Sequence, residues 1–189
     1  STELVLVDSS GPVPDILDWM SVPWGVVTLT ESERFDHDDP ESRAAAYTRM
    51  RARVMDGFAP FARRLPELPD AERRLLGTSG TVTTLASLHL DLPCYNRDAI
   101  DGLIVPSESM RAISARLAGM SLNQRRELPC IGKERADLVV AGCAILESIL
   151  DIWPAMRLGV ADRGIREGIL RALMGKDAPQ PRSAHEQRA

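Results

Sequence analysis

The residues best suited to chemistry lie together in the middle of the chain. Leu75-Leu76-Gly77-Thr78-Ser79-Gly80-Thr81-Val82-Thr83-Thr84 is a short apolar run ending in two glycines interleaved with hydroxyls, and Leu85-Ala86-Ser87-Leu88 continues it as a helix-like segment. The pattern reads as strand, tight loop and helix start. Glycines at 77 and 80 permit close approaches or backbone angles that a side chain would block. Successive amides in such a loop, with a helix N-terminus behind them, form a nest for an anion. Thr78, Ser79 and Thr81 add hydroxyl donors. The plainer alternative is a Ser or Thr cap on a helix that follows a buried strand. Taken alone, the five residues from Gly77 to Thr81 leave both readings open.

Other chemistry finds less support. The three cysteines (Cys94, Cys130, Cys143) and three histidines (His37, His89, His185) show no metal-ligand spacing. Free thiols are expected, with Cys143 part of an apolar helical run rather than a nucleophile. Asp36 to Asp39, which contains His37, reads as a solvated loop. A net charge of −4 argues against a nucleic-acid surface, since phosphate backbones require clustered cations. Lys133 and Lys176 are the only lysines, so arginine supplies nearly all the positive charge. No stretch reaches transmembrane length and no signal peptide opens the chain, so a cytoplasmic protein with no membrane partner is expected.

The elements that must position the loop follow from periodicity and breakers. Leu4 to Val7 is β-prone and closes on Asp8-Ser9-Ser10-Gly11-Pro12, a turn. Ile16 to Met20 suits a second strand paired with it, and Val22 to Thr30 an edge strand or loop limited by Pro23. Asp39-Pro40-Glu41 starts a helix. Tyr47, Met50, Val54, Phe58, Phe61 and Leu65 form its apolar stripe, Arg49, Arg51, Arg53, Arg63 and Arg64 a solvated face, and Pro66 and Pro69 its end. A helix from Val82 to His89 follows the loop and breaks at Asp91-Leu92-Pro93. Tyr95 to Val105 reads as irregular or weakly extended, and Pro106-Ser107 opens another helix. Arg135 to Trp153 is apolar nearly all round and should be buried. Met156 to Val160 suits a last strand and Ile165 to Met174 a last helix capped by Gly175. Residues 176–189 are Pro-, Gln- and charge-rich and are expected to be disordered. The order is α/β, with antiparallel strands first. In open sheets of this class ligands sit at strand ends beside glycine loops. The chain enters a strand at once from Ser1 and reads as a fragment.

Three stretches in order resemble one family. Ser1-Thr2-Glu3-Leu4 is similar to the end of a Gly-Gly-Gly-Ser-Thr-Glu-Leu phosphate loop, and Gly77-Thr78-Ser79-Gly80-Thr81 to a second glycine loop. Asp162-Arg163-Gly164-Ile165-Arg166-Glu167-Gly168, with Glu134-Arg135-Ala136-Asp137 and Gly142 upstream, resembles a C-terminal signature. The family is that of the exopolyphosphatase / guanosine pentaphosphate phosphohydrolase (Ppx/GppA) phosphatases. The resemblance implies a ribonuclease-H-like fold of the actin and sugar-kinase superfold, with a mixed sheet of about five strands flanked by helices. It implies that residues 1–175 are the second of two domains, partnered by an N-terminal domain of the same protein. It also implies hydrolysis, with Mg²⁺, of the terminal phosphoanhydride of polyphosphate or the 5′-γ-phosphate of guanosine pentaphosphate. The catalytic base and the metal carboxylate would lie upstream of Ser1, with no catalytic or metal-binding residue in this chain, which alone would be inactive.

Residues carried over as phosphate-binding are Ser1, Thr2, Gly77, Thr78, Ser79, Gly80 and Thr81. Arg135 joins them as a candidate clamp, because guanidinium forks match phosphate oxygens. Its alternative is a surface arginine paired with Glu134 or Asp137. Arg163 and Arg166 are expected in a salt-bridged turn with Asp162 and Glu167. Two other functions stay open: an ATP-binding kinase or ATPase of the same superfold, and a non-catalytic binding module or homodimer that uses the 138–152 helix as a partner face.

Overall fold

The computed structural model describes residues 1–11, 14–69, 71–164, 167, 168 and 170. The elements run β1 (Thr2–Asp8), β2 (Asp15–Val22), α1 (Val26–Ser32), α2 (Pro40–Ala62), β3 (Leu75–Gly77), α3 (Gly80–His89), α4 (Arg97–Ile100), β4 (Ile104–Pro106), α5 (Ser107–Gly119), α6 (Leu122–Arg126), α7 (Val139–Ile152) and β5 (Arg157–Val160). The expected last helix, its Gly175 cap, Arg166 and the 176–189 tail lie largely or wholly outside the described residues.

Hydrophobic alternation sets the first ladder. β1 and β2 pair antiparallel, with an irregularity after Leu6 that leaves Leu17 as the extra residue. Leu4 and Val22 join the core, while Val5, Ile16 and Trp19 stay exposed. The ladder ends at Val22 because Pro23 brings no N–H to continue it. Gly25 then caps α1, its amide accepted by the Thr28 hydroxyl at 2.9 Å and its carbonyl taken by the Leu29 amide at 2.9 Å. This corrects the strand or loop expected over Val22 to Thr30.

Without that third strand, the single mixed sheet of about five strands does not form. Among the described residues, the mixed sheet has three strands in the order β3-β5-β4, and β1-β2 is a separate hairpin. β3 runs parallel to β5, and β4 antiparallel to it. β4 and α4 replace the irregular stretch expected over 95–105. Asn96 carries the signal for α4: its side chain accepts the Asp98 and Ala99 amides and starts the helix.

The core forms around α7, whose Ala141, Cys143, Ala144 and Leu150 are essentially inaccessible. α2 and α5 flank it with Met50, Val54, Phe58, Met110 and Leu117. Burial pushes the Cys143 thiol up to about 12, which suits a core residue rather than a nucleophile. The apolar surface of α7 is taken up inside the chain, leaving little of it for a partner. α2 begins where expected, with the Asp39 carboxylate accepting the Glu41 and Ser42 amides. It ends at Ala62, shortly after the internal Pro60 and before Pro66.

The arginines of α2 are not a freely solvated face. Arg49 and Arg53 both grip the buried Glu33 carboxylate, at 2.9 and 2.8 Å. Arg51 pairs with Asp151 and, at 3.5 Å, with Glu147; Arg64 holds Asp18 at 2.7 Å. Burial acts to raise the Glu33 pKa, but the two guanidinium bonds outweigh it and the net shift is downward.

A close helix contact fixes α3. A Cβ on Gly142 of α7 would lie 2.6 Å from Thr81 Cγ2, and closer still to Thr81 Oγ1. Gly142→Ala is therefore expected to destabilise by about 1–3 kcal/mol through overpacking. Thr81→Ala in the same chain should return part of that loss, read from urea midpoints at unchanged m-value.

Because the folded-state pKa of Glu33 is depressed, its contribution to stability is complete above its unfolded-chain pKa of about 4.3 and is lost as pH falls through the folded value. Glu33→Gln should cost about 1.5–3 kcal/mol at pH 7. It should also flatten the acid limb of a stability-against-pH curve below about pH 4.3.

Candidate functional site

Parallel pairing brings two chain segments to one edge of the mixed sheet. β3 and β5 end side by side, so the 78–79 loop and the 161–164 turn leave the sheet together. The Ala161 amide donates to Gly77 O at 2.9 Å, and the Thr78 hydroxyl donates to Arg163 O at 2.5 Å. Gly77 is needed for packing: a Cβ there would lie 2.8 Å from Val82 Cγ2.

The loop presents donors rather than a closed cap. Ser79 occupies the N-cap position of α3 in extended conformation, and its side chain makes no capping bond. The first intrahelical bond runs from the Thr83 amide to Ser79 O at 3.1 Å. The amides of Gly80, Thr81 and Val82 precede it and have no intrahelical acceptor. Thr78, Ser79 and Gly80 are exposed. The Ser or Thr cap of the plainer reading is thus absent at this helix.

Arg135 reaches this loop. Its Nη1 lies 3.5 Å from where a Gly80 Cβ would stand. Among the described residues it makes no ion pair with Glu134 or Asp137, and Asp137 Oδ1 is buried without a hydrogen-bond partner. A guanidinium thus lies beside the exposed start of α3, whose first amides have no intrahelical acceptor, a combination suited to an oxyanion. At the other end of the chain, Ser1 packs against Gly25, where a Cβ would lie 2.6 Å from Ser1 N. The Thr2 hydroxyl donates to Trp24 O at 2.7 Å. The candidate residues thus fall into two groups. Gly77 to Thr81 are joined to Arg135 and Arg163, and Ser1 and Thr2 to the residues that open α1.

The 161–164 turn is held differently from expectation. Arg163 Nε pairs with Asp101 Oδ2 at 2.7 Å, not with Asp162 or Glu167. The reason is competition: the Asp162 carboxylate already accepts from the Tyr95 hydroxyl and pairs with Arg97 at 3.2 Å. Asp101 also accepts the Asp162 amide at 3.0 Å. The Arg163 bond first, then the amide, hold its pKa below the usual carboxylate range. The bond to Asp162 raises that of Tyr95. A cavity of about 490 Å³ adjoins this turn, lined by Arg97, Asp98, Asp101, Arg163 and Glu167. Tyr95, Arg97 and Asp101 lie over sixty residues from Arg163 in the chain, and no local pattern announces their meeting.

The hydroxyls, amides and guanidinium groups around the loop donate hydrogen bonds to anions and offer a cation little. Among the described residues, no three or more of His, Cys, Asp and Glu gather where they could hold a metal ion.

The small mixed sheet, its flanking helices and the glycine loop at the sheet edge form an α/β domain, and comparison with known proteins specifies its family. The Ppx/GppA phosphatase family model matches residues 1–177, and the chain belongs to that family. It is 30% identical over 179 residues to exopolyphosphatase 2 of Mycobacterium tuberculosis, covering 93% of this chain and 53% of that protein. The chain therefore spans about half the length of the curated relatives it matches. A crystal structure of the Aquifex aeolicus Ppx/GppA family member superposes with a TM-score of 0.73 at 22% identity, covering 94% of this chain and 58% of that one. An exopolyphosphatase-like protein gives 0.77 at 23% identity over 92% and 56%. An exopolyphosphatase from Cytophaga hutchinsonii gives 0.71 at 19% identity over 86% and 51%. The fold expected from the sequence is thus the fold observed, with a smaller mixed sheet.

The geometry at Gly80 separates shape from charge. A Cβ meets Arg135 at ordinary contact distance, so Gly80→Ala should bind tripolyphosphate as the parent does. Gly80→Val and Arg135→Ala should each weaken it about tenfold or more, the size of a lost charged hydrogen bond. Calorimetric titration measures the affinity, and unchanged urea midpoints show that the fold is retained.

Proposed function

We propose that this chain is the second domain of a cytoplasmic, Mg²⁺-dependent phosphatase that hydrolyses the terminal phosphoanhydride of inorganic polyphosphate, the 5′-γ-phosphate of guanosine pentaphosphate, or both. The observation that carries this reading is the loop at 77–81. It has uncapped α3 amides, glycine at the point of approach, and the Arg135 guanidinium 3.5 Å from the Gly80 Cβ position. Family membership and the exopolyphosphatase relative support the reaction class.

In this mechanism the chain's own residues bind and orient. The amides of Gly80 and Thr81 and the fork of Arg135 take phosphate oxygens and offset their charge. That matters most as charge redistributes during transfer to water. Thr78 contributes its backbone, because its hydroxyl proton is engaged with Arg163 O. Ser79 contributes a hydroxyl that is not used to cap α3. Ser1 and Thr2 form part of a second phosphate turn, Ser1 through its backbone.

Mg²⁺, when bound, would offset charge on the substrate oxygens. The donors around the loop do not fit it, so we assign its ligands to the N-terminal domain. The base that activates water is assigned there too. The carboxylates of the turn beside the loop support that assignment, since Asp101 and Asp162 already pair with arginines. Asp101, whose pKa the Arg163 bond holds below the usual range, is a weak base.

Phosphate release by the full-length protein tests the proposal, with long-chain polyphosphate and guanosine pentaphosphate assayed side by side, with and without divalent cation. Release from at least one substrate, only with the cation, is expected. No release from either would return the chain to a binding role. The isolated 1–189 chain should release none under the same conditions, and turnover by it would overturn the division of labour.

A further inference from the structure

We propose that Arg125 is the positioning residue that holds Arg135 over the glycine loop. This rests on the reading of Arg135 as an anion ligand given above.

Arg125 is 0% exposed, the bulkiest side chain so completely buried among the described residues. A buried cation is costly unless it is paired or fully hydrogen-bonded. Among the described residues it has no carboxylate partner in an ion pair; its partners are carbonyls and one imidazole. Nε donates to Ala136 O at 2.8 Å. Nη1 donates to Met120 O at 2.6 Å and Leu117 O at 3.4 Å. Nη2 lies 3.5 Å from His37 Nδ1, on a ring that also packs on Phe35. Leu117 and Met120 stand at the C-terminal end of α5, where orphan carbonyls and the helix dipole favour a cation.

The third direction of the fork leads to the site. Ala136 belongs to a run of turns between Gly132 and Leu138 with no regular helix. Its local bonds are few: the Arg135 amide to Gly132 O at 2.8 Å, and the Leu138 and Val139 amides to Arg135 O. These shape the turn and lead it into α7, and the buried Ala136 packs it on the core. Arg125 adds the one side-chain tie seen from α5 to this turn among the described residues, joining the end of α5 to the carbonyl one residue after Arg135. A guanidinium can do this because its N–H groups point several ways from one rigid plane. A lysine has one donor atom and cannot span Ala136, Met120 and His37 together.

Arg43 provides an internal comparison. It too is buried and bonds the end of α5, through Gly119 O at 2.9 Å, and it reaches His37 O at 2.8 Å. It has no bond to the 132–138 turn among the described residues. General loosening of this region would therefore follow from either arginine, and misplacement of Arg135 from Arg125 alone.

The test is tripolyphosphate affinity of the full-length protein, measured by calorimetric titration in a double-mutant cycle, with KM for polyphosphate as a second readout. Arg125→Lys should weaken binding about tenfold or more and raise KM accordingly, a misplacement effect. In an Arg135→Ala background the same substitution should change the affinity less than about twofold, within the usual limits of additivity. Arg43→Lys should lower the urea midpoint and leave the affinity unchanged. Arg125→Gln serves if the lysine variant does not fold. Equal losses in both backgrounds, or no loss from Arg125→Lys in the parent, would overturn the proposal while leaving Arg135 as a ligand. No loss from Arg135→Ala would instead overturn the reading of the site itself.

Discussion

The first turn of α3 lies hard against α7, and the placement of the loop depends on that contact. Only glycine at 142 leaves room for Thr81, so the two helices meet closely just where the loop turns into α3. Gly77 makes the matching allowance on the strand side, where Val82 fills the space a side chain would take. Between these two contacts the backbone from 78 to 80 is held at both ends by packing. The anion site proposed here would need little reorganisation on binding, because the loop's ends are already packed.

Charge is arranged around the same frame. Acidic residues outnumber basic ones, yet arginines sit at the structural joints. On α2 they meet carboxylates, with Glu33 held by two of them. At the end of α5 they meet carbonyls instead, as Arg43 and Arg125 show. Asp101 and Arg163 tie α4 to the turn after β5. Arg135 differs from these: its guanidinium lies by an exposed loop, and neither neighbouring acid in sequence pairs with it. An arginine left available beside unpaired helix amides gives the site its positive potential in a chain whose net charge is negative.

Much of this was legible in the sequence. The strand, loop and helix of 75–89, the Asp39 cap, the α2 stripe and the burial of α7 follow from periodicity and capping residues that act locally. The motif order carried the family as well. What stayed hidden was long-range. Val22 to Thr30 has strand-like residues, yet the Gly25–Thr28 bonds turn it into helix, and the sheet loses a strand. The partner of Arg163 could not be read from neighbours in sequence, since Asp101 and Asp162 divide the available cations by geometry. Arg125 sits in a short polar segment, Asn123-Gln124-Arg125-Arg126, where nothing distinguishes the buried arginine from the exposed one beside it. Hydrophobic patterning marks apolar burial and is blind to a guanidinium buried for its donors.

The glycine loop changes meaning once its surroundings are set out. A Ser at an N-cap position is ordinarily a cap, and a capped helix end has fewer free amides to offer. Here the Ser79 side chain leaves the amides unoccupied, and among the described residues no other side chain caps them. The nearest hydroxyl, on Thr78, turns to Arg163 O. Orphan amides at an exposed helix start have water as their default partner, and an oxyanion replaces that water with a charge-assisted bond. The anion reading therefore gains from what the sequence first offered against it: the capping residue is present, and the structure uses it to open the helix end.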